Sequence, residues 1–196
     1  MKSNYLVQAW LVLALAAGFG AALAGVQVGL NPRIEINKQN ETYDQIPALV
    51  LGIERKNETV DVRELATDDG RIAYEVSSGG VHVGWVIKAV GQGFADKIEL
   101  LIGLDAPAGR ILGLYVLDQK ETPALGNRIT EPVWRAQFPG LDAGKSVEVV
   151  KTTPAAGDNA VQAVTGATVS SLSVCNIVNQ SVEQFRRDMG DLKESE

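Results

Sequence analysis

The sequence predicts an α+β protein: a single N-terminal transmembrane helix followed by one domain whose mostly antiparallel sheet is covered by packing helices. Three observations predict it. An uncharged apolar stretch runs from Ala9 to Val26, runs of strand-forming residues alternate with glycine-rich turns through the middle of the chain, and a helical periodicity closes it.

At about 1.5 Å per residue, the first stretch covers most of a hydrocarbon core about 30 Å thick, and it spans one outright if residues 5–30 are all helical. Gly18, Gly20 and Gly25, with the alanines among them, give small faces for packing against other membrane helices, and Tyr5 and Trp10 suit the interface. Two readings of this segment stand: a retained anchor, residues 1–30, and a signal peptide cleaved after Ala22-Leu23-Ala24. The length of the apolar stretch favours the anchor. Either way the remainder lies outside the cytoplasm, and Lys2 with the terminal amine puts the N-terminus inside.

Residues 31–70 connect anchor and domain; Ile34, Ile36, Ile46, Leu49, Val50, Ile53 and Leu65 suggest a helix that continues toward the domain and packs on it. The domain proper is residues 71–190. Residues 71–76 pair with 81–90 across a turn at 77–80, and 97–104 with 110–117 across 106–109. Gly91-Gln92-Gly93 reads as a strand-end turn. Residues 134–138 and 170–189 supply the covering helices. In the second, Leu172, Cys175, Val178, Val182, Phe185 and Met189 recur at spacings of three and four along one face. Ser170 or Ser171 caps its first amides, Gly190 stops it, and residues 191–196 form a solvated tail.

A formal net charge of −6 with no clustered basic face argues against a nucleic-acid partner. Cys175 is the only cysteine, so the chain has no internal disulfide and no Cys-x-x-Cys metal or cluster site; on the apolar helix face it reads as a packed thiol. His82, the only histidine, lies in a strand-like run and reads as a surface or satisfied residue. No catalytic residue and no metal ligand is assigned.

The chemistry points instead to Thr165-Gly166-Ala167-Thr168-Val169-Ser170-Ser171, a hydroxyl-rich turn ahead of the last helix. Gly166 permits close backbone approach, and the free amides of a helix start would face a phosphate with the positive end of the dipole, Thr168 beside it. By spacing alone the same residues also make a capped helix start with no ligand, the commoner case.

The run from Val164 to Ser171 resembles the flavinylation motif of the FMN-binding domain family, to which RnfG of the Rnf complex and NqrC of the sodium-pumping NADH:quinone reductase belong. Upstream, Glu121-Thr122-Pro123-Ala124-Leu125-Gly126 is similar to that family's E-T-P-G-L-G loop, in the same order along the chain. Two positions depart. Gln162 stands where Asp is usual, and Ala124 where Gly is usual; the second raises the question whether residue 124 needs a positive φ.

The resemblance implies a protein of the RnfG type that holds FMN through a phosphodiester bond to Thr168. It places Thr165, Gly166, Ala167, Ser170 and Ser171 around the phosphate, and Thr122, Leu125 and Gly126 toward the flavin ring. Glu121 is left open between a flavin contact and bracing of the loop. The implied role is electron transfer within an Rnf-type translocase that couples ferredoxin:NAD+ electron transfer to ion transport, an enzyme only as part of the complex. Implied partners are the other membrane and peripheral subunits and an FAD-dependent flavin transferase. The implied place is the inner membrane, single-pass, with the domain on the periplasmic side. Two alternatives stand beside it: an NqrC-like subunit, and a membrane-anchored FMN redox sensor or assembly factor.

Overall fold

The computed structural model describes residues 5–52, 60–66 and 71–194 and forms two compact units, Met1–Asn40 and Glu41–Glu196. Lys2 and residues 195–196 lie outside the described residues. Helix α1 (Tyr5–Leu51) begins in the first unit. Its residues 9–30 are exposed throughout, large apolar side chains such as Phe19 and Leu23 included. A helix apolar on every side belongs in lipid or in a core, and this one is long and apolar enough to cross a membrane.

The helix runs through Pro32 and Pro47, each of which removes one backbone hydrogen bond, and stops at Gly52. There φ is +67° and the Gly52 N–H donates to the Ala48 carbonyl at 3.1 Å, a left-handed cap that a side chain would strain.

In the second unit, strands β1 (Val60–Ala66), β2 (Ile72–Ser78), β3 (Val81–Gln92), β4 (Lys97–Asp105) and β5 (Ile111–Asp118) form one antiparallel meander in sequence order. Strand β1 corrects the sequence reading, which put Leu65 on a helix. Leu65 instead pairs with Ala73, because β1 completes the hydrogen bonds of β2; Ile53 lies outside the described residues. The β2–β3 hairpin closes through Gly79 and Gly80 at φ +58° and +79°, the two positive angles that a tight right-twisted hairpin demands.

Alternation along the strands divides the core in two. Ile98, Leu100, Ile102 and Leu104 of β4 face one side with Trp85, Ile87 and Ala89 of β3, while Leu101 and Val86 face the other with Tyr74 and Val76. The last turns of α1 cover that second side, burying Ile46 and Leu49. They sit almost on the backbone. Gly103 and Gly113 are register partners, and a Cβ on Gly103 would lie 2.8 Å from the Leu49 carbonyl, one on Gly113 2.9 Å from Leu49 Cδ2. The Tyr115 hydroxyl donates to Glu41 at 2.6 Å and pins the same segment; burial, then that carboxylate, pushes its pKa up to about 12.

The first side is covered by α3 (Thr168–Glu194), the short α2 (Pro132–Arg135) and a 3-10 turn at Gly126–Thr130. Val174, Cys175, Val178, Val182 and Phe185 of α3 pack there with Phe138, Ile129 and Trp134. Cys175 is a packed thiol, and burial pushes its pKa up to about 12. Leu172 departs from the expected face and is exposed, because the seam at the start of the helix is taken by Ala167, Ser171 and Val174. Nor does α3 stop at Gly190: it continues to Glu194, since one helical glycine costs only about 1 kcal/mol. Strands β6 (Glu148–Val150) and β7 (Ala160–Gln162) add a small parallel pair that the sequence did not signal.

Candidate functional site

The turn that leads into α3 is closed by the Ala167 N–H donating to the Val164 carbonyl at 2.9 Å, with Gly166 in third place at φ +81°. A type II turn needs a positive angle at that place, and glycine supplies it without strain. Helical geometry then leaves the N–H groups of Thr168, Val169 and Ser170 without partners inside the helix. They form a small field of donors at the positive end of a long helix.

The two serines expected to cap this start do something else. Ser171 is fully buried; its Oγ accepts the Val164 N–H at 3.0 Å and donates to the Ala167 carbonyl at 3.1 Å, so it braces the turn from behind. Ser170 is buried as well and donates its hydroxyl proton to Glu121 Oε2 at 2.6 Å. Thr168 is exposed, so its hydroxyl is the accessible one of the first helical turn.

The second motif forms a turn of the same kind. Leu125 N–H donates to the Thr122 carbonyl at 3.2 Å, Pro123 occupies the second place, and Ala124 the third at φ +60°. Position 124 thus does require the left-handed conformation that glycine would accept more readily. Glu121 is bonded as a brace. It is 4% exposed, and besides Ser170 it accepts the Ala95 N–H at 3.0 Å through Oε1. One carboxylate therefore ties together the turn after β3, the Thr122 loop and the first turn of α3.

These segments enclose a cleft of about 350 Å³. The loop contributes Thr122, Leu125 and Gly126, and the helix start contributes residues 166–170. Glu121, Thr165 and Ser171, expected around the same site, do not line it: the first and third are turned into the protein as braces, and Thr165 sits on the outer corner of its turn. Two lining residues were missed. Phe94 is 65% exposed and Val169 52%, joining Leu125 at 47% as large apolar side chains left open around the cleft. The available signal was weak: an aromatic residue inside a glycine turn, and a valine off the periodic face of its helix.

Apolar walls beside unpaired backbone donors and a free hydroxyl fit a flat aromatic group carrying a phosphate. Gln162 stands away from the cleft, with its side chain bonded to Thr153 Oγ1 at 3.4 Å and the Lys151 carbonyl at 3.3 Å. The latter bond needs a donor, which an aspartate would lack. A larger cavity of about 530 Å³ lies between α3 and residues 143–147, away from both motifs. His82 is likewise remote; its ring packs on Trp85 at 4.6 Å, Nδ1 lies 3.6 Å from Glu75 Oε1, and among the described residues neither ring nitrogen has a hydrogen-bond partner.

Residues 93–183, which contain both motifs, match the FMN-binding domain. The chain is 30% identical over 169 residues to the G subunit of the Na(+)-translocating ferredoxin:NAD(+) oxidoreductase complex of Acetobacterium woodii, spanning 82% of this chain and 75% of that protein. It is 32% identical over 111 residues to the G subunit of the proton-translocating ferredoxin:NAD(+) oxidoreductase complex of Clostridium ljungdahlii, spanning 57% of this chain and 58% of that one. In fold it is similar to the crystal structure of the C subunit of the Na(+)-translocating NADH-quinone reductase from Parabacteroides distasonis, with a TM-score of 0.62 at 20% identity, covering 78% of this chain and 92% of that chain.

Proposed function

Because the chain belongs to the FMN-binding domain family, as a relative of the G subunits of ion-translocating oxidoreductase complexes, we propose that it is the covalently flavinylated electron-transfer subunit of an Rnf-type membrane complex. The observation that carries this reading is the meeting of the two separated motifs as facing walls of one cleft, with the exposed Thr168 on its edge.

In this reading Thr168 Oγ forms the P–O bond to FMN as the pyrophosphate of FAD breaks and AMP leaves, on a partner flavin transferase. The amides of Thr168, Val169 and Ser170 share the phosphate charge, and Phe94, Leu125 and Val169 shield the ring from water. Bound FMN would supply reversible electron transfer in steps of one or two electrons. Ser170 and Ser171 are unsuited to attachment, since each is buried with its hydroxyl already donated. A covalent tether keeps the cofactor local whatever its intrinsic affinity, which matters outside the cytoplasm. The first unit anchors the chain in the inner membrane, and the domain works on the periplasmic side beside the other subunits of the complex, which couples ferredoxin:NAD+ electron transfer to ion translocation.

The test is the intact mass of protein made together with the flavin transferase. It rises by one FMN unit in the wild type and does not rise in Thr168→Val; no added mass on the wild type overturns the reading. The subunits that copurify decide between a ferredoxin:NAD+ complex and an NADH:quinone reductase, the alternative that the fold likeness keeps in view.

A further inference from the structure

Glu121 is nearly sealed from solvent, and among the described residues no cation lies within ion-pair distance of it. Its neighbour Lys120 is turned away to Asp96 at 3.3 Å. A buried carboxylate without a counter-charge is costly unless its oxygens are well bonded. Here the backbone is cut away to admit it. A Cβ on Gly93 would collide with Oε1, and one on Gly126 would lie 2.9 Å from Oε2. The two bonds it receives come from two separate segments, Ala95 N–H in the turn after β3 and Ser170 Oγ–H at the start of α3.

The carboxylate therefore stands one hydrogen bond behind the cleft wall that Ser170 forms. Since Ser170 donates its proton to Glu121, its oxygen can present only lone pairs to the cleft. We propose that Glu121 is a positioning residue with an electrostatic consequence: it joins the walls of the cleft and, as a fixed negative charge behind Ser170, lowers the potential at which a flavin held there is reduced. The proposal rests on the cleft being the FMN site. An electron that enters without a proton adds one negative charge to the cleft, and in a partly dehydrated setting it is repelled by the carboxylate more strongly than in water. The helix amides act in the opposite sense at the phosphate end.

The test is potentiometric titration of the full-length flavinylated protein, with loading checked by intact mass. Glu121→Gln keeps the shape and an acceptor for Ala95 but removes the charge, and its potential rises above that of the wild type. Ser170→Ala keeps the charge and removes the hydroxyl proton that partly offsets it, so its potential falls. Glu148→Gln, an exposed change on β6 outside the cleft, leaves the potential where it was. A general loosening of the cleft would move the first two in the same direction. Shifts of the same sign, no shift in either, or an equal shift in Glu148→Gln overturn the proposal. Should Glu121→Gln fail to load, Ser170→Ala decides alone: a potential at or above wild type overturns it. Absence of FMN mass on the wild-type chain overturns the functional reading as well, whereas a loaded wild type with silent variants overturns only the role of Glu121.

Discussion

The Thr122–Leu125 and Val164–Ala167 turns face each other across the cleft and share one backbone pattern, but they meet its demand differently. Each is closed by a hydrogen bond from fourth to first residue and has a positive φ in third place, +60° at Ala124 and +81° at Gly166. At Gly166 the demand is double, since a Cβ would also stand 3.2 Å from Leu125 Cδ2 on the facing wall. Ala124 is exposed, so its methyl meets only the torsional penalty. The difference teaches that a substitution away from glycine survives where the strain is local, and not where the same atom would push two walls apart.

The largest effect expected on this pair leaves both turns intact. Thr168→Val removes the attachment hydroxyl without touching either backbone, so covalent flavin is lost altogether while the melting temperature of the unflavinylated protein stays put; a large drop in that temperature would give the threonine a structural role. Next comes the junction between the turns. In Gly126→Ala the new methyl lies 2.8 Å from both Glu121 Cβ and Ser170 Oγ, which should cost about 1–3 kcal/mol by overpacking in denaturant titration and reduce flavin loading. Gly166→Ala follows, with a cost of about 1 kcal/mol from its torsion and a reduced loading from contact with Leu125. Smallest and opposite in sign, Ala124→Gly should gain up to about 1 kcal/mol with loading unchanged. If it destabilises instead, the two turns are not under the same backbone demand.

Much of the molecule was legible along the chain. The apolar helix announces itself by an unbroken uncharged run, and four of the five strands of the meander and α3 by local patterns, because burial on one face repeats every two or every 3.6 residues. Strand β1 was not legible: Val60, Val62 and Leu65 suit more than one period, and their partner β2 supplies the decision. The three-residue strands β6 and β7 are too short to show any period. Leu172 looked buried by spacing and is exposed, since Ser171 holds the inner position at the start of the helix.

The site divides along the same line. Sequence alone determined that a membrane-length helix precedes one α+β domain, and that Thr168 stands at a helix start downstream of a proline-bearing loop, because these depend on residues close together in the chain. Tertiary structure alone decided which hydroxyls are free. Ser170, Ser171 and Thr168 are chemically similar in the sequence, yet a hydrogen bond spanning 49 positions takes Ser170 to Glu121, packing turns Ser171 inward, and Thr168 remains exposed. Phe94 likewise reaches the cleft only because β3 ends beside the Thr122 loop. Such assignments rest on which groups are desolvated together, and desolvation depends on segments distant in sequence that only folding brings into contact.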